Sequence, residues 1–149
     1  MRYIYPVTLV KDEDGEFLAT SRDVPEALTS GATESEALLA MSDALGTALA
    51  GYVLDQQEIP APSIPVQGEY LVPVAALVAA KLALRSAMQS EGVNNTELAR
   101  RLHLSEGAIR RLVDMDHASR MDGVIAALTV LGVGIIIEDQ RQAQTMVAA

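Results

Sequence analysis

Residues 94–117, NNTELARRLHLSEGAIRRLVDMDH, decide how the rest of the chain is read. Counted from Asn95, the residues Ala99, Leu104, Ile109 and Leu112 fall at positions five, ten, fifteen and eighteen. These are the inward positions of a helix-turn-helix. Ala99 has to be small because two helices cross there at close range. Leu104 is expected to fill the gap beneath the turn, and Ile109 and Leu112 to pin the second helix from below. Residues 96–102 then form the supporting helix and residues 106–114 the recognition helix. Asn94 or Asn95 is placed to cap the first and Ser105 the second, because a short side-chain oxygen can accept from the free N–H groups of a first turn. The outward set that would meet DNA is Asn95, Thr96, Ser105, Glu106, Gly107, Arg110 and Arg111, with Arg100 and Arg101 on the supporting helix. The turn position before Leu104, usually Gly, holds His103, a residue type that tolerates positive φ better than most. The plain alternative is a helical hairpin that only packs.

Working outward, the chain of 149 residues has room for one ordinary domain or two small ones. It is 50% apolar with a single Phe, four Tyr and no Trp, so its cores must be built from Ala, Leu, Val and Ile. With no Cys there is no disulfide framework and no thiolate ligand or nucleophile. The opening residues reach acidic side chains without a small-residue cleavage site, so no signal peptide is expected. Residues 70–84 read as the longest apolar-rich stretch, too short to span a bilayer and interrupted by Lys81. A cytoplasmic protein is expected, without a membrane partner, cofactor or metal.

Charge is unevenly spread. Residues 1–80 hold three basic residues (Arg2, Lys11, Arg22) against twelve acidic ones, a net of −9, whereas residues 81–149 hold eight of each. The half with clustered arginines can meet phosphates, and the acidic half would be repelled by them.

The front half opens with a strand over residues 3–10, in which apolar and mixed positions alternate. Pro6 lacks a donor, which favours an edge or a bulge. Residues 12–15, DEDG, form a hairpin turn with Gly15 in the left-handed region, and residues 16–20 return as a second strand. A short third strand runs over 27–30. Thr33 and Glu36 fit a capping box, and Leu38, Met41, Leu45, Ala48 or Leu49, and Tyr52 follow at helical spacing. Residues 58–66 carry three prolines and read as an extended connection. A fourth strand over 69–73 ends at Pro73, the expected domain boundary. Domain one is therefore 1–73, βββαβ, and domain two is 74–149. Domain two starts with an Ala-rich helix over about 75–90 and adds a helix over 122–131 after the helix-turn-helix. Residues 133–138, VGIIIE, read as a terminal strand without a neighbour in that domain. An unpaired apolar edge invites pairing with a second copy, so Val133, Ile135, Ile136 and Ile137 are the expected dimerisation residues. Beyond Asp139 a polar tail is expected to fray.

Both halves resemble the HicB family of antitoxins from type II toxin–antitoxin systems, in the variant with a helix-turn-helix C-terminus. In the front half the carriers are Tyr5 with Pro6, the 12–15 turn, Asp23-Val24-Pro25, residues 29–37 and residues 59–63. In the rear half they are residues 81–84, 98–102 and 111–114, then His117, Ser119, residues 126–128, and Leu131 with Gly132. Two positions depart from the family pattern: Glu26 follows Pro25 where Gly is frequent, and His103 occupies the turn. The resemblance implies an α+β protein whose front domain is a partial ribonuclease-H-like fold without nuclease activity. That domain would cover a basic, mRNA-cleaving toxin of the HicA type, while the rear domain would bind the operator of its own operon and repress it. The 133–138 strand, paired about a two-fold axis, adds the expectation of a homodimer or higher oligomer on a palindromic operator. A negative surface would complement such a toxin and speed its capture.

Two other classes compete. An enzyme reading takes Asp12, Glu13, Asp14, Glu16 and Asp23 as metal ligands for phosphodiester cleavage, but four of them crowd one hairpin tip, as in a solvated turn. His103 and His117 do not form a catalytic pair; His117 reads as a capping or phosphate-side residue. An orphan transcriptional regulator without a toxin is the other alternative.

Overall fold

The alternating run near the N-terminus forms β1 (Ile4–Lys11), followed by β2 (Phe17–Thr20), β3 (Leu28–Gly31), the helix α1 (Glu34–Leu54) and β4 (Tyr70–Pro73). This is the expected βββαβ order. The computed structural model describes residues 1–141, which divide into two units. Met1–Ala75, joined by residues 138–141, make the first, and Ala76–Ile137 the second.

In the first unit the strands pair antiparallel in the order β3-β2-β1-β4. Pro6 lies in the half of β1 that pairs with β4, Pro6 opposite Leu71, while β2 takes the other half from Thr8 to Lys11. A residue that cannot donate thus stands where β1 has one neighbour. The hairpin closes through Gly15 at φ +84°, with Gly15 N donating to Asp12 O (3.2 Å) and Glu16 N to Asp12 Oδ1 (2.8 Å).

Thr33 caps α1, its Oγ1 accepting from Glu36 N at 3.1 Å. The Glu36 carboxylate reaches back to Ala32 N, also 3.1 Å, one residue earlier than a standard capping box. The buried stripe is Leu38, Met41, Leu45 and Leu49, with Ala37, Ser42 and Gly46 beside it. Gly31 is required at the end of β3, because a Cβ there would come within 2.5 Å of Ala37 N. By length and composition α1 is apolar enough to cross a membrane, which corrects the reading of 70–84 as the longest apolar stretch. In the fold its apolar stripe is spent on the sheet.

The connection from α1 to β4 has almost no regular structure, yet it is pinned by side chains. Tyr5 Oη donates to Pro60 O (2.8 Å), and Asp23 accepts from Ser63 N (2.7 Å) and Ser63 Oγ (2.5 Å). Arg22 reaches Ile64 O (2.8 Å) and Glu69 Oε1 (2.7 Å), and Glu69 Oε2 takes Val66 N (2.8 Å). Glu26, one of the departures from the family pattern, has a partner in Tyr52 Oη at 2.9 Å.

The second unit consists of α2 (Ala76–Glu91), α3 (Asn95–Leu102), α4 (Glu106–Val113) and α5 (Met121–Val130). Its core gathers Leu84, Leu98, Ile109, Val124, Ala127 and Leu128, all fully buried. The α+β class stands, but the terminal strand does not: among the described residues, 133–138 join no ladder. A strand is defined by its pairing, and this unit has no strand edge to offer. Val133 and Ile135 lean on the unit's own core, while Ile136 and Ile137 are 94% and 75% exposed. The tail expected to fray lies, from residue 142, outside the described residues.

Candidate functional site

The two short helices of residues 94–117 are set by their ends. Asn94, rather than Asn95, caps α3, its side chain accepting from Glu97 N at 2.8 Å; Ser105 caps α4, accepting from Ala108 N at 3.1 Å. His103 adopts φ 55°, ψ 39°, the left-handed geometry that the turn demands. Around it His103 N donates to Arg100 O (3.4 Å) and Leu104 N to Ala99 O (3.0 Å), the paired closure that usually has Gly at its centre. Ala99 and Ile109 are buried, and Leu112 is half-buried against the same core. Leu104 contradicts the sequence reading. It is 47% exposed, because its contribution is the backbone bond that closes the turn and not a side chain beneath it.

The outward residues behave differently from one another. Ser105 is spent as a cap, Asn95 is half-buried, and Thr96 Oγ1 donates to Glu106 Oε1 at 2.9 Å, tying the first turns of α3 and α4 together. Arg100 and Arg101 both bind Glu97, at 2.7 and 2.9 Å. Those two guanidinium groups, Arg100 first, hold the Glu97 carboxyl down at about 2. Arg110 and Arg111 are exposed and join no ion pair among the described residues. A Cβ built on Gly107 would stand 3.8 Å from Arg110 Nη2 and 3.9 Å from Arg111 Nη1. Both guanidinium groups therefore bend back to the first turn of α4, over its one bare position. An arginine pair with open donors at the start of an exposed, capped helix can take a guanine edge or a phosphate.

One residue near this unit was not singled out as functional by its sequence. Lys81, on α2, is fully buried, and its Nζ donates to carbonyls at the end of α4 and just beyond it. Its signal was spacing: Leu77, Lys81, Leu84 and Met88 share one helical face, so a lysine stands where the core should be.

The first unit presents a second candidate surface. Strand register places Val10 beside Leu18 and Thr20 beside Leu28, all on the sheet face opposite the buried Val7 and Ala19. Val10, Leu18 and Leu28 are 57%, 38% and 60% exposed, next to a hairpin whose Asp12, Glu13, Asp14 and Glu16 face solvent. Of the carboxylates an enzyme would need, Asp12 closes the hairpin and Asp23 holds Ser63.

A sequence model of the family described as HicB-like antitoxin of bacterial toxin–antitoxin systems matches residues 4–83. The chain is 42% identical over 128 residues to a protein named antitoxin HicB 2 from Photorhabdus laumondii subsp. laumondii, covering 86% of this chain and 90% of that one. It is 38% identical to antitoxin HicB of Escherichia coli strain K12 over 128 residues, 86% of this chain and 93% of the relative. Antitoxin HicB of Pseudomonas fluorescens is 36% identical over 129 residues, 86% of this chain and 88% of the relative. A match that spans 86% of the 149 residues has to run through 94–117, so the similarity extends past the front unit into the paired helices.

Proposed function

The chain belongs to the HicB-like antitoxin family, and from that premise we propose that its two units divide the antitoxin's work, the first neutralising a toxin and the second binding operator DNA. The observation that carries this reading is the pair Arg110 and Arg111, exposed on a capped helix and in no ion pair among the described residues, in a chain whose acidic surplus lies entirely in the other unit. DNA binding of the first unit would be opposed by a net charge of −9 over residues 1–80, and that same charge favours a basic protein. The partner is a small, basic, RNA-cleaving toxin of the HicA type in the cytoplasm. It docks on the open sheet face around Val10, Leu18 and Leu28, with the 12–16 hairpin steering its approach. No catalytic step is assigned to this chain.

The second unit contacts operator DNA through Asn95, Thr96, Ser105, Glu106, Gly107, Arg110 and Arg111, with the arginines as base or phosphate readers and Thr96 and Glu106 setting the angle between the helices. Two copies are needed for a palindromic operator with half-sites about 34–36 Å apart. Val133, Ile135, Ile136 and Ile137 supply the joint, because the exposure of Ile136 and Ile137, and a backbone over 134–138 that joins no ladder among the described residues, are both relieved by an antiparallel mate. Ile136→Asp should give monomers in sedimentation that still bind toxin and hold the operator weakly; a dimer with normal operator binding would move the two-fold axis elsewhere. The function itself is tested by co-expressing the full chain with the adjacent reading frame. A copurifying basic ribonuclease, and a complex retained on promoter DNA of the same operon, are expected. Promoter binding without any such partner would make the chain a regulator and not an antitoxin of this kind.

A further inference from the structure

Lys81 is the only charged side chain among the fully buried ones of the described residues. Its Nζ lies 2.5 Å from Asp114 O, 2.5 Å from His117 O, 2.9 Å from Ser119 Oγ and 3.2 Å from Arg111 O. Every one of these is an acceptor, so the amine is needed as an ammonium with three protons. Arg111 O is the most distant and is already served by Ser119 Oγ at 3.0 Å. The three protons therefore go to Asp114 O, His117 O and Ser119 Oγ. Ser119 accepts from Lys81 and donates to Arg111 O, which leaves its second lone pair for His117 Nδ1, 3.1 Å away. In that network the His117 ring carries a proton on Nδ1.

These acceptors all belong to one place in the fold: the last turn of α4 and the segment that follows it. α4 ends at Val113 with Asp114 in an extended conformation, so no left-handed residue folds back to satisfy the final carbonyls. A buried cation takes that role, and it sits at the negative end of the helix dipole. Burial pulls the Lys81 ammonium below the ordinary lysine range, while the Asp114 carboxylate opposes that pull. Arg110 and Arg111 stand on the same last turn that Lys81 holds.

We propose that Lys81 is a positioning residue for DNA recognition: from inside the core it fixes the end of the recognition helix and the His117 turn, and so the orientation of Arg110 and Arg111. It touches no DNA. This proposal rests on the operator-binding reading above, but its core, the network, is observable in the free protein.

The test uses full-length wild type, Lys81→Met and Ser119→Ala. In the DNA-free proteins, ¹⁵N spectroscopy should show the Nδ1–H form of His117 in wild type and its loss in Ser119→Ala, which removes the acceptor. An Nε2–H ring in wild type would overturn the network whether or not the chain binds an operator. For binding, both variants should keep toxin affinity and near-wild-type affinity for unrelated DNA, with the same salt slope, because no phosphate contact is removed. Their preference for operator over unrelated DNA should fall, about tenfold for Lys81→Met and about threefold for Ser119→Ala. Folded variants that discriminate as wild type does would reduce Lys81 to a stabilising residue and overturn the proposal. If Lys81→Met does not fold, Ser119→Ala decides alone, on the same two outcomes. A wild-type chain with the Nδ1–H ring but no operator binding would sink the operator reading and, with it, the recognition role, while leaving the network standing.

Discussion

In the first unit Arg22 is surrounded by Glu69, Ile64 O and Asp23, whereas in the second unit Arg110 and Arg111 have no acid partner among the described residues. The same contrast runs through the carboxylates. Exposed acids of the first unit, such as Glu13, Asp14 and Glu16, have few cations near them, since residues 1–80 contain only three basic side chains. In the second unit Glu97 is saturated by Arg100 and Arg101. Each unit thus neutralises charge internally where the fold needs it and leaves one sign uncompensated outside: negative in the first, positive on one helix of the second. What the contrast teaches is that a net charge of −9 can coexist with an exposed arginine pair, provided the two signs sit on separate cores.

The separation of cores can be broken directly. Leu45 is fully buried in the first unit, and Leu45→Ala should cost that unit about 2–5 kcal/mol. Toxin capture should be lost on warming while operator binding follows wild type; simultaneous loss of both in a melting series would mean that the units unfold together. A smaller effect is expected on the other side. Arg110→Ala should weaken operator binding by about 1–3 kcal/mol if the side chain reads a base, and leave toxin affinity unchanged. Competition against single-base operator variants separates the roles, since a base reader loses discrimination at one position and a phosphate contact weakens every sequence alike.

The smallest effect concerns acid. Glu97 has its carboxyl lowered from 4.5 to about 2 by its hydrogen bonds to Arg100 and Arg101. A depressed folded-state value means that the stabilisation is fully present above about 4.5 and is lost as pH falls through about 2. Because the pair is solvent-accessible, the contribution is modest. Acid unfolding of the second unit, followed by circular dichroism, should lose part of its pH dependence in that window in Glu97→Gln. An unchanged acid profile would show that these bonds do not form in solution.

Much of this organisation was legible in the residues. Caps at Thr33 and Ser105 each use a side chain whose chemistry permits one local bond, so sequence spacing suffices to place them, whereas for the first helix of the pair it left Asn94 and Asn95 open and the structure selects Asn94. His103 could be read as left-handed because the inward positions around it leave the backbone no other route. Leu104 was misread for a related reason: hydrophobicity at a patterned position suggests burial, but here the turn uses only its N–H. Residues 133–138 show the limit of reading β-propensity, since Val and Ile favour a strand only where an edge exists to pair with. The staples on the proline-rich connection join residues 40 to 55 positions apart, and no local pattern announces them. Lys81 lay between these cases, for its face on α2 was readable but its four acceptors, thirty or more residues away, were not.

The division of labour is tested most directly by neutralising one sign of charge and measuring both activities on the same full-length protein. Glu13, Asp14 and Glu16 are exposed, and no hydrogen bond of their side chains holds the hairpin. In the triple variant Glu13→Gln, Asp14→Asn, Glu16→Gln, the association rate with the basic toxin should fall about tenfold at low salt, converging on wild type as salt rises. Operator affinity should stay at the wild-type value. A toxin association rate unaffected by the substitutions, or an operator affinity that changes with them, would contradict the assignment of toxin to the acidic unit and DNA to the other.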